Sequence, residues 1–319
     1  MISYHLDYPH LAADEFPRGA VLAIGTFDGV HLGHRQLFET AQRLAADLDC
    51  PAAVFTFVEH PRSILNPGAP VPLLTPWQEK EQRLREAGLS HCIATRFSQA
   101  LSRLTPEAFV ARVLGEALAV KGVVTGFNFR FGHQQAGTPE DLQRLGKAIG
   151  FPVEVVPPVR AEGGIVSSSR LRQLIEGGQV EEAQPLLGYA YTLTGQVVPG
   201  DQRGRTIGFP TANLALPADK LLPLLGVYAC LAEVGSEQLP AVVNIGRRPT
   251  FDGVKLLTEV HLLAGGRDLY GQTMTISLLK HLRPERAFPG AEALIAQIAE
   301  DCEAARQFLA RVTADVAIP

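Results

Sequence analysis

Short apolar runs alternate with longer amphipathic stretches between residues 20 and 157 of the chain. Between the first two runs, residues 34–48 repeat apolar side chains at the spacing of a helix. The runs are continuously apolar, which is typical of strands buried on both faces of a parallel sheet. This alternation predicts an α/β fold, a doubly wound Rossmann-like domain. The runs are AVLAIGTF (20–27), AAVFTFV (52–58), KGVVTGF (121–127) and VEVVP (153–157).

The pattern changes near residue 188, after two short helices predicted at about 167–177 and 180–187. Apolar runs then follow one another with only Gly, Pro and Asp turns between them, which predicts an antiparallel β-barrel. Residues 290–312 predict a terminal helix. We therefore expect two domains, 1–187 and 188–319. The barrel runs are YTLTGQVV (191–198), GVYACLAEV (226–234), LPAVVNIG (239–246), LLTEVHLL (256–263) and TMTISLL (273–279).

Charge and cysteine content exclude several classes of protein. The net charge is −4 and no basic stripe is present, so nucleic acid is not an expected partner. The four cysteines are scattered and form no CxxC pair, which argues against a disulfide framework and a cysteine zinc site. No apolar run suggests a secretory signal or a membrane span, so we expect a cytoplasmic protein.

The segment GTFDGVHLGH (25–34) joins the first predicted strand to the first predicted helix. Ligands of open α/β sheets bind at the carboxyl ends of strands, where a helix N-terminus attracts phosphate. We expect His31 and His34 to face one cavity there, with Gly29 and Gly33 admitting a phosphate close to the backbone. Imidazole N–H groups would stabilise charge on a phosphate under attack. Two alternatives stay open: solvated loop histidines, or a zinc site, for which no third ligand is near.

The segment GQVVPGDQRGRTIGFPTANL (195–214) is the second informative stretch. Its glycines and arginines are typical of a flexible loop that covers phosphates. Thr211 and Asn213 are two residues apart on a strand, so their oxygens point to the same face. Neutral oxygen ligands suit Mg²⁺. From composition alone, a turn followed by an edge strand explains this stretch better.

Several segments together resemble a known family. GTFDGVHLGH resembles the signature of the nucleotidylyltransferase superfamily, and the blocks that follow it resemble bacterial bifunctional FAD synthetases. GFPTAN (208–213) resembles the signature of riboflavin kinases. The resemblance covers nearly the whole chain. Its other blocks are TFVEHPRSIL (56–65), LTPEAFVARVL (104–114), GFNFRFGHQQAG (126–137), VSSSRLRQLIEGGQVEEAQPLLG (166–188), VVNIGRRPTF (242–251) and LTEVHLL (257–263).

The resemblance implies a two-step enzyme. The barrel would phosphorylate riboflavin to FMN with ATP, and the α/β domain would transfer AMP from a second ATP to FMN, giving FAD and pyrophosphate. Mg²⁺ would serve both steps. Riboflavin, FMN and ATP are thus the expected small-molecule partners, no nucleic acid or membrane partner is expected, and the oligomeric state is left open.

The same resemblance assigns residues at the first site. His31 and His34 would contact the ATP phosphates, and Asn128 would help to hold phosphate or metal near the transfer point. Arg172 would clamp the pyrophosphate end, where its planar fork donates two hydrogen bonds. From the residues alone, SSSRLR (167–172) equally suits a helix cap and a solvated helix. The further residues implied for nucleotide and phosphate binding are Gly25, Phe27, Asp28, Gly33, Ser167, Ser168 and Ser169.

At the second site, the resemblance assigns Glu259 as the base for the riboflavin hydroxyl. From strand alternation alone, Glu259 equally suits an outward-facing strand carboxylate. The loop glycines and arginine would hold the nucleotide phosphates, and Thr211 and Asn213 would hold Mg²⁺. The phosphate-binding residues implied here are Gly204, Arg205 and Gly208.

Four positions depart from the family pattern. Gln135 stands where an arginine is usual, Ser169 where a threonine is usual, and Ala264-Gly265 where Asp-Phe is usual. The first removes a positive charge near the adenylyl site, and the last alters a loop over the flavin. Three alternatives to the two-step enzyme stay open. The chain has only one live activity, it is a non-enzymatic flavin-binding regulator, or it transfers the adenylyl group to another acceptor.

Overall fold

The computed structural model describes residues 1–9, 16, 18–200, 204, 207–250, 253–265 and 267–316. Side chains of 248–250, 253–255 and 313–316 are not described. The chain divides into two compact units, Met1–Ser168 and Ser169–Pro319. Within the described residues, no helix has the length and apolar character needed to cross a membrane.

The first unit is built on a six-stranded parallel sheet in the order β1-β4-β3-β2-β5-β6. The predicted α/β fold class is confirmed. The neighbouring strands β2 and β5 are buried on both faces, as their continuous apolar character predicts. The strands are β1 (Ile2–His5), β2 (Val21–Ile24), β3 (Ala52–Phe57), β4 (His91–Thr95), β5 (Gly122–Gly126) and β6 (Val153–Val156).

Helices cover the parallel sheet. Helix α1 buries the apolar stripe that the sequence predicts, including Leu37, Phe38 and Ala41. Helix α5 continues without a break into a π-helix over Phe109–Ala117, and a short antiparallel pair, β7 (Arg160–Ala161) and β8 (Gly164–Ile165), follows the sheet. The helices are α1 (Leu32–Asp47), α2 (Pro61–Leu65), α3 (Trp77–Glu86), α4 (Gln99–Ser102), α5 (Pro106–Ala108) and α6 (Pro139–Ile149).

The sequence pattern misses two strands of this sheet, β1 and β4. Both are short, and β1 has polar residues among its apolar ones, so neither forms a long apolar run. The first predicted strand is also too long, because β2 ends at Ile24. Residues 25–31, which we call the histidine loop, therefore leave the sheet before Phe27.

The second unit begins with two helices and continues as a closed antiparallel barrel in the order β10-β13-β12-β11-β14-β9. The predicted barrel and terminal helix are both confirmed. The helices are α7 (Ser168–Glu176, which starts at the junction), α8 (Val180–Leu187) and α9 (Ala291–Val316). The strands are β9 (Tyr191–Val198), β10 (Ala212–Ala215), β11 (Gly226–Val234), β12 (Glu237–Thr250), β13 (Gly253–Leu262) and β14 (Thr273–Pro284).

The terminal helix packs on the outside of the barrel. Its Cys302, Ala305 and Leu309 join an apolar cluster with Val227 and Val242 of the barrel strands. A buried ion pair adds a specific contact, because the guanidinium of Arg283 donates to both carboxylate oxygens of Asp301 at 2.8–3.1 Å.

Candidate active sites

The histidine loop has a strained backbone at the carboxyl end of β2. Phe27 and Val30 have φ angles of 48° and 37°, and Gly29 has 86°. A β-branched residue such as valine rarely adopts a positive φ. Conformations of this kind concentrate at functional sites, where the surrounding structure holds them.

His31 and His34 are brought together at the start of α1, as the sequence predicts. His31 immediately precedes the helix, and the two rings stack with centroids 3.6 Å apart and planes 18° apart. The Nδ1 atom of each ring is buried and has no hydrogen-bond partner among the described residues. A bound ligand would satisfy such atoms.

Both imidazoles are held in their neutral forms. Burial lowers the pKa of His31 to about 4. The nearby Asp28 carboxylate raises it, but by less than burial lowers it. Burial also holds the pKa of His34 well below 6.5; the positive charge of Lys80 lowers it further, as would a proton on His31. A neutral imidazole has one N–H donor and one acceptor nitrogen, so each ring keeps one donor for a phosphate oxygen.

The Phe27 ring packs against His34, and Gly25 packs against the Phe27 ring. The Phe27 ring is 1% exposed and meets the His34 ring edge-to-face at 5.2 Å. A Cβ on Gly25 would lie 2.9 Å from the Phe27 ring. Gly33 is equally confined, since a Cβ there would lie 3.1 Å from the His31 ring. The glycines of the motif thus make room for aromatic rings of the site.

Asp28 is buried, and its carboxylate accepts hydrogen bonds from the main-chain N–H groups of Leu74 and Thr75 at 3.1 and 3.0 Å. Its main-chain oxygen accepts a hydrogen bond from the Ser168 hydroxyl at 2.8 Å. The sequence-predicted Asp28 and Ser168 therefore meet in the structure. The Asp28 side chain bonds to Leu74 and Thr75, and the Ser168 hydroxyl bonds to the main chain of the histidine loop.

Asn128 lies in an exposed turn that follows β5, with the Phe129 N–H donating to the Gly126 oxygen at 3.1 Å. Helix α7 begins at Ser168 and carries Ser169 and Arg172 in its first turns, within the second unit. Ser167 directly precedes that helix. The role of each of these residues in nucleotide binding stays a prediction.

The barrel brings Asn213 and Glu259 side by side. Asn213 on β10 is directly opposite Glu259 on β13, and Glu259 is directly opposite Asn244 on β12. Residues that face each other across antiparallel strands project from the same side of the sheet. The carboxylate predicted as a base therefore lies between two amide side chains, all three of them half-buried.

The loop before β10 is shaped by its glycines. A Cβ on Gly204 would clash with the main-chain oxygen of Phe209 and lie 3.3 Å from the Thr211 hydroxyl oxygen, so the chain passes close to the predicted metal ligand. Gly208 has a φ of 90°, which favours glycine. The predicted Arg205 lies outside the described residues.

His261 fixes the start of the predicted metal-binding strand. Its Nδ1 is 2.9 Å from the main-chain oxygen of Pro210, and its ring meets that of Phe209 edge-to-face. Among the described residues, no group of three His, Cys, Asp or Glu side chains is placed to hold a metal ion.

Sequence reasoning misses three residues beside these sites: Thr75, Lys80 and Asn244. Thr75 and Lys80 are buried and hydrogen-bond to the histidine loop. A polar residue inside the apolar run VVNIG signals Asn244, but only the strand register places it beside Glu259. Lys80 carries no such signal, because a lysine in an amphipathic helix is ordinarily solvated.

Known proteins match both units. A family model for FAD synthetase matches residues 13–170, and one for riboflavin kinase matches residues 187–309. A bifunctional riboflavin kinase/FMN adenylyltransferase from Listeria monocytogenes is 39% identical, over 98% of this chain and 99% of that protein. The protein of the same name from Escherichia coli K12 is 38% identical, over 91% and 93%.

A solved structure matches across both units. It is described as a macrolide-efflux protein from Streptococcus pneumoniae, is 34% identical, and has a TM-score of 0.86 over 95% of this chain and 98% of that one. The two family matches follow the same order along the chain as the α/β unit and the barrel. The chain belongs to the family of bifunctional riboflavin kinase/FMN adenylyltransferases.

Proposed function

We propose that this chain makes FAD in two steps at two separate sites, one in each unit. The barrel phosphorylates riboflavin to FMN, and the α/β unit joins AMP from ATP to FMN with release of pyrophosphate. The observation that carries this proposal is the presence of both polar sites in one chain: the stacked histidine pair and the Asn213–Glu259–Asn244 row.

In the adenylyl step, an FMN phosphate oxygen attacks the α-phosphorus of ATP while the bond to pyrophosphate breaks. His31 and His34 donate hydrogen bonds to phosphate oxygens and stabilise the charge that develops on them. Their lowered pKa values keep both rings neutral at pH 7, so their role is hydrogen bonding rather than ion pairing. The N-terminus of α1 adds free N–H groups to the same anion site. Asn128 and Ser167 of the same unit hold further phosphate oxygens.

In the kinase step, Glu259 accepts the proton of the primary hydroxyl of riboflavin. The hydroxyl oxygen attacks the γ-phosphorus of ATP, and the bond to ADP breaks. Asn213 is directly opposite Glu259, so the base and an amide ligand act on the same phosphate region. Gly204, Arg205 and Gly208 form the loop over the phosphates.

Thr211 and Asn213 are the residues that hold Mg²⁺ in this proposal. Their hydroxyl and amide oxygens, next to the Glu259 carboxylate, are the hard ligands that Mg²⁺ prefers. Bound there, the ion neutralises negative charge on the nucleotide phosphates.

The two activities belong to domains 1–187 and 188–319 in this proposal. The family matches, which end at residue 170 and resume at residue 187, support a boundary between these positions. We place the enzyme in the cytoplasm, where its co-substrate ATP is available.

The test is to incubate the purified chain with riboflavin, ATP and Mg²⁺ and to separate the flavins. The proposal predicts FMN first and FAD second, and a parallel reaction with EDTA in place of Mg²⁺ yields neither. Failure to form either flavin nucleotide, with riboflavin still bound, would instead indicate a flavin-binding regulator.

A chain with a single live activity is the second candidate, because both units depart from the family pattern. Gln135 is exposed and has a φ of 60°, and Gly265 closes a turn with a φ of 104°. FMN without FAD would mean that only the kinase works. Conversion of supplied FMN, but not of riboflavin, would mean the reverse.

A further inference from the structure

The segment Leu74 to Lys80 (LTPWQEK), which we call the clamp segment, hydrogen-bonds to the histidine loop. The Thr75 hydroxyl accepts a hydrogen bond from the Gly29 N–H at 2.9 Å. The Leu74 and Thr75 N–H groups donate to the two carboxylate oxygens of Asp28. Thr75 and Asp28 are each 1% exposed, so water does not compete for these bonds.

Lys80, at the end of the clamp segment, makes the second attachment. Its ammonium group donates to the main-chain oxygens of Thr26 at 3.0 Å and Phe57 at 2.9 Å. These oxygens lie at the carboxyl ends of the neighbouring strands β2 and β3. The side chain is 2% exposed, and buried lysines are rare. One charged group thus ties the histidine loop to the adjacent strand.

The histidine loop requires such support. Phe27 and Val30 lie in a left-handed backbone region that side chains disfavour. The clamp segment holds Thr26, Asp28 and Gly29, the residues before and between these two positions. The strained conformation persists because these bonds fix the residues next to Phe27 and Val30.

We propose that Thr75 and Lys80 are positioning residues for adenylyl transfer, which hold the histidine loop so that His31 and His34 stay stacked at the start of α1. The inference rests on the proposed adenylyl step. Neither residue touches the substrate in this account. Small displacements of groups that orient a reaction lower its rate by about 100-fold for 1 Å, so a loosened loop has a measurable effect.

Thr75→Val tests the first attachment, because it preserves the shape of the side chain and removes the hydroxyl. We expect kcat for FAD formation from FMN to fall about 10-fold to 100-fold. Thr75→Ser restores the hydroxyl and most of the rate. Thr95→Val is the matched control: Thr95 is equally buried at the same edge of the sheet, two strands from β2, and its hydroxyl donates to the main-chain oxygen of Arg96, outside the loop.

Lys80→Met tests the second attachment in the same way and is expected to lower kcat for FAD formation by a similar factor. FMN formation by the barrel of the same molecules is the internal control and stays unchanged in every variant. The single tryptophan, Trp77, reports the unfolding of the first unit, so each rate is compared at a temperature where that unit is folded.

Hydrogen–deuterium exchange of peptides from residues 25–34 provides a readout that does not depend on activity. We expect faster exchange in Thr75→Val and Lys80→Met than in the wild type and Thr95→Val. Wild-type kcat and exchange in both variants would overturn the inference, as would equal losses in Thr75→Val and Thr95→Val. If the wild-type chain itself makes no FAD, the proposed function fails, and the exchange data still decide whether the clamp segment holds the loop.

Discussion

Acidification is expected to destabilise the first unit, because His31 and His34 are buried there in their neutral forms. Burial lowers the pKa of His31 from 6.5 to about 4. In the unfolded chain the same imidazole titrates near pH 6.5. As the pH falls through this window, the unfolded chain binds a proton that the folded chain does not, so the free energy of unfolding decreases.

The expected size follows from the two pKa values of His31. Between pH 7.5 and pH 5, proton linkage removes about 2 kcal/mol of stability through this residue alone. His34 acts in the same direction, because its pKa is also lowered. Burial is the main cause, and the charge of Lys80 and any proton on His31 add to it. Against a typical domain stability of about 5–15 kcal/mol, this loss is large.

Urea unfolding followed by Trp77 fluorescence measures this loss, because the only tryptophan lies in helix α3 of the first unit. We expect His31→Gln to lose about 2 kcal/mol less than the wild type between pH 7.5 and pH 5. His133→Gln, which changes an exposed histidine of the same unit, serves as the control. Parallel pH curves for the wild type and His31→Gln would refute the reasoning.

Three further predictions concern other parts of the molecule. Asn213→Ala is expected to raise the Mg²⁺ concentration that half-saturates FMN formation, and an unchanged Mg²⁺ titration would contradict its assignment as a ligand. Asp301→Ala leaves the partly buried guanidinium of Arg283 without its carboxylate and is expected to cost about 2 kcal/mol in urea unfolding followed by circular dichroism. Glu303→Ala, from an exposed pair on the same helix, is the control and is expected to cost about 0.5 kcal/mol or less. Gly25→Ala places a methyl group against the Phe27 ring and is expected to lower FAD formation about 10-fold, whereas Gly68→Ala, which has open space, is expected to leave it unchanged.

The sequence predicts the fold class well because its evidence is periodicity. The buried strands β2, β3 and β5 and the helix α1 each carry a pattern that one type of element explains. Strand β1 has no such pattern, since none of its residues is fully buried and its strand conformation comes from pairing with β4. Its place at the edge of the sheet is therefore a tertiary property.

The sites were predicted unevenly for a similar reason. His31 and His34 are three residues apart at the start of one helix, so the sequence already places their rings close to each other. The Asn244–Glu259–Asn213 row joins three strands that are distant in sequence, and only the barrel register creates it. Lys80 and Thr75 act on a loop about 50 residues earlier in the chain, and no short-range pattern encodes that contact.

The central claim, two independent sites in one chain, is tested most directly by flavin product analysis of His31→Ala and Glu259→Gln. His31→Ala is expected to convert riboflavin to FMN at the wild-type rate and to make almost no FAD. Glu259→Gln is expected to make no FMN from riboflavin while converting supplied FMN to FAD at the wild-type rate. Loss of both activities in either folded variant, or of neither, would contradict the account.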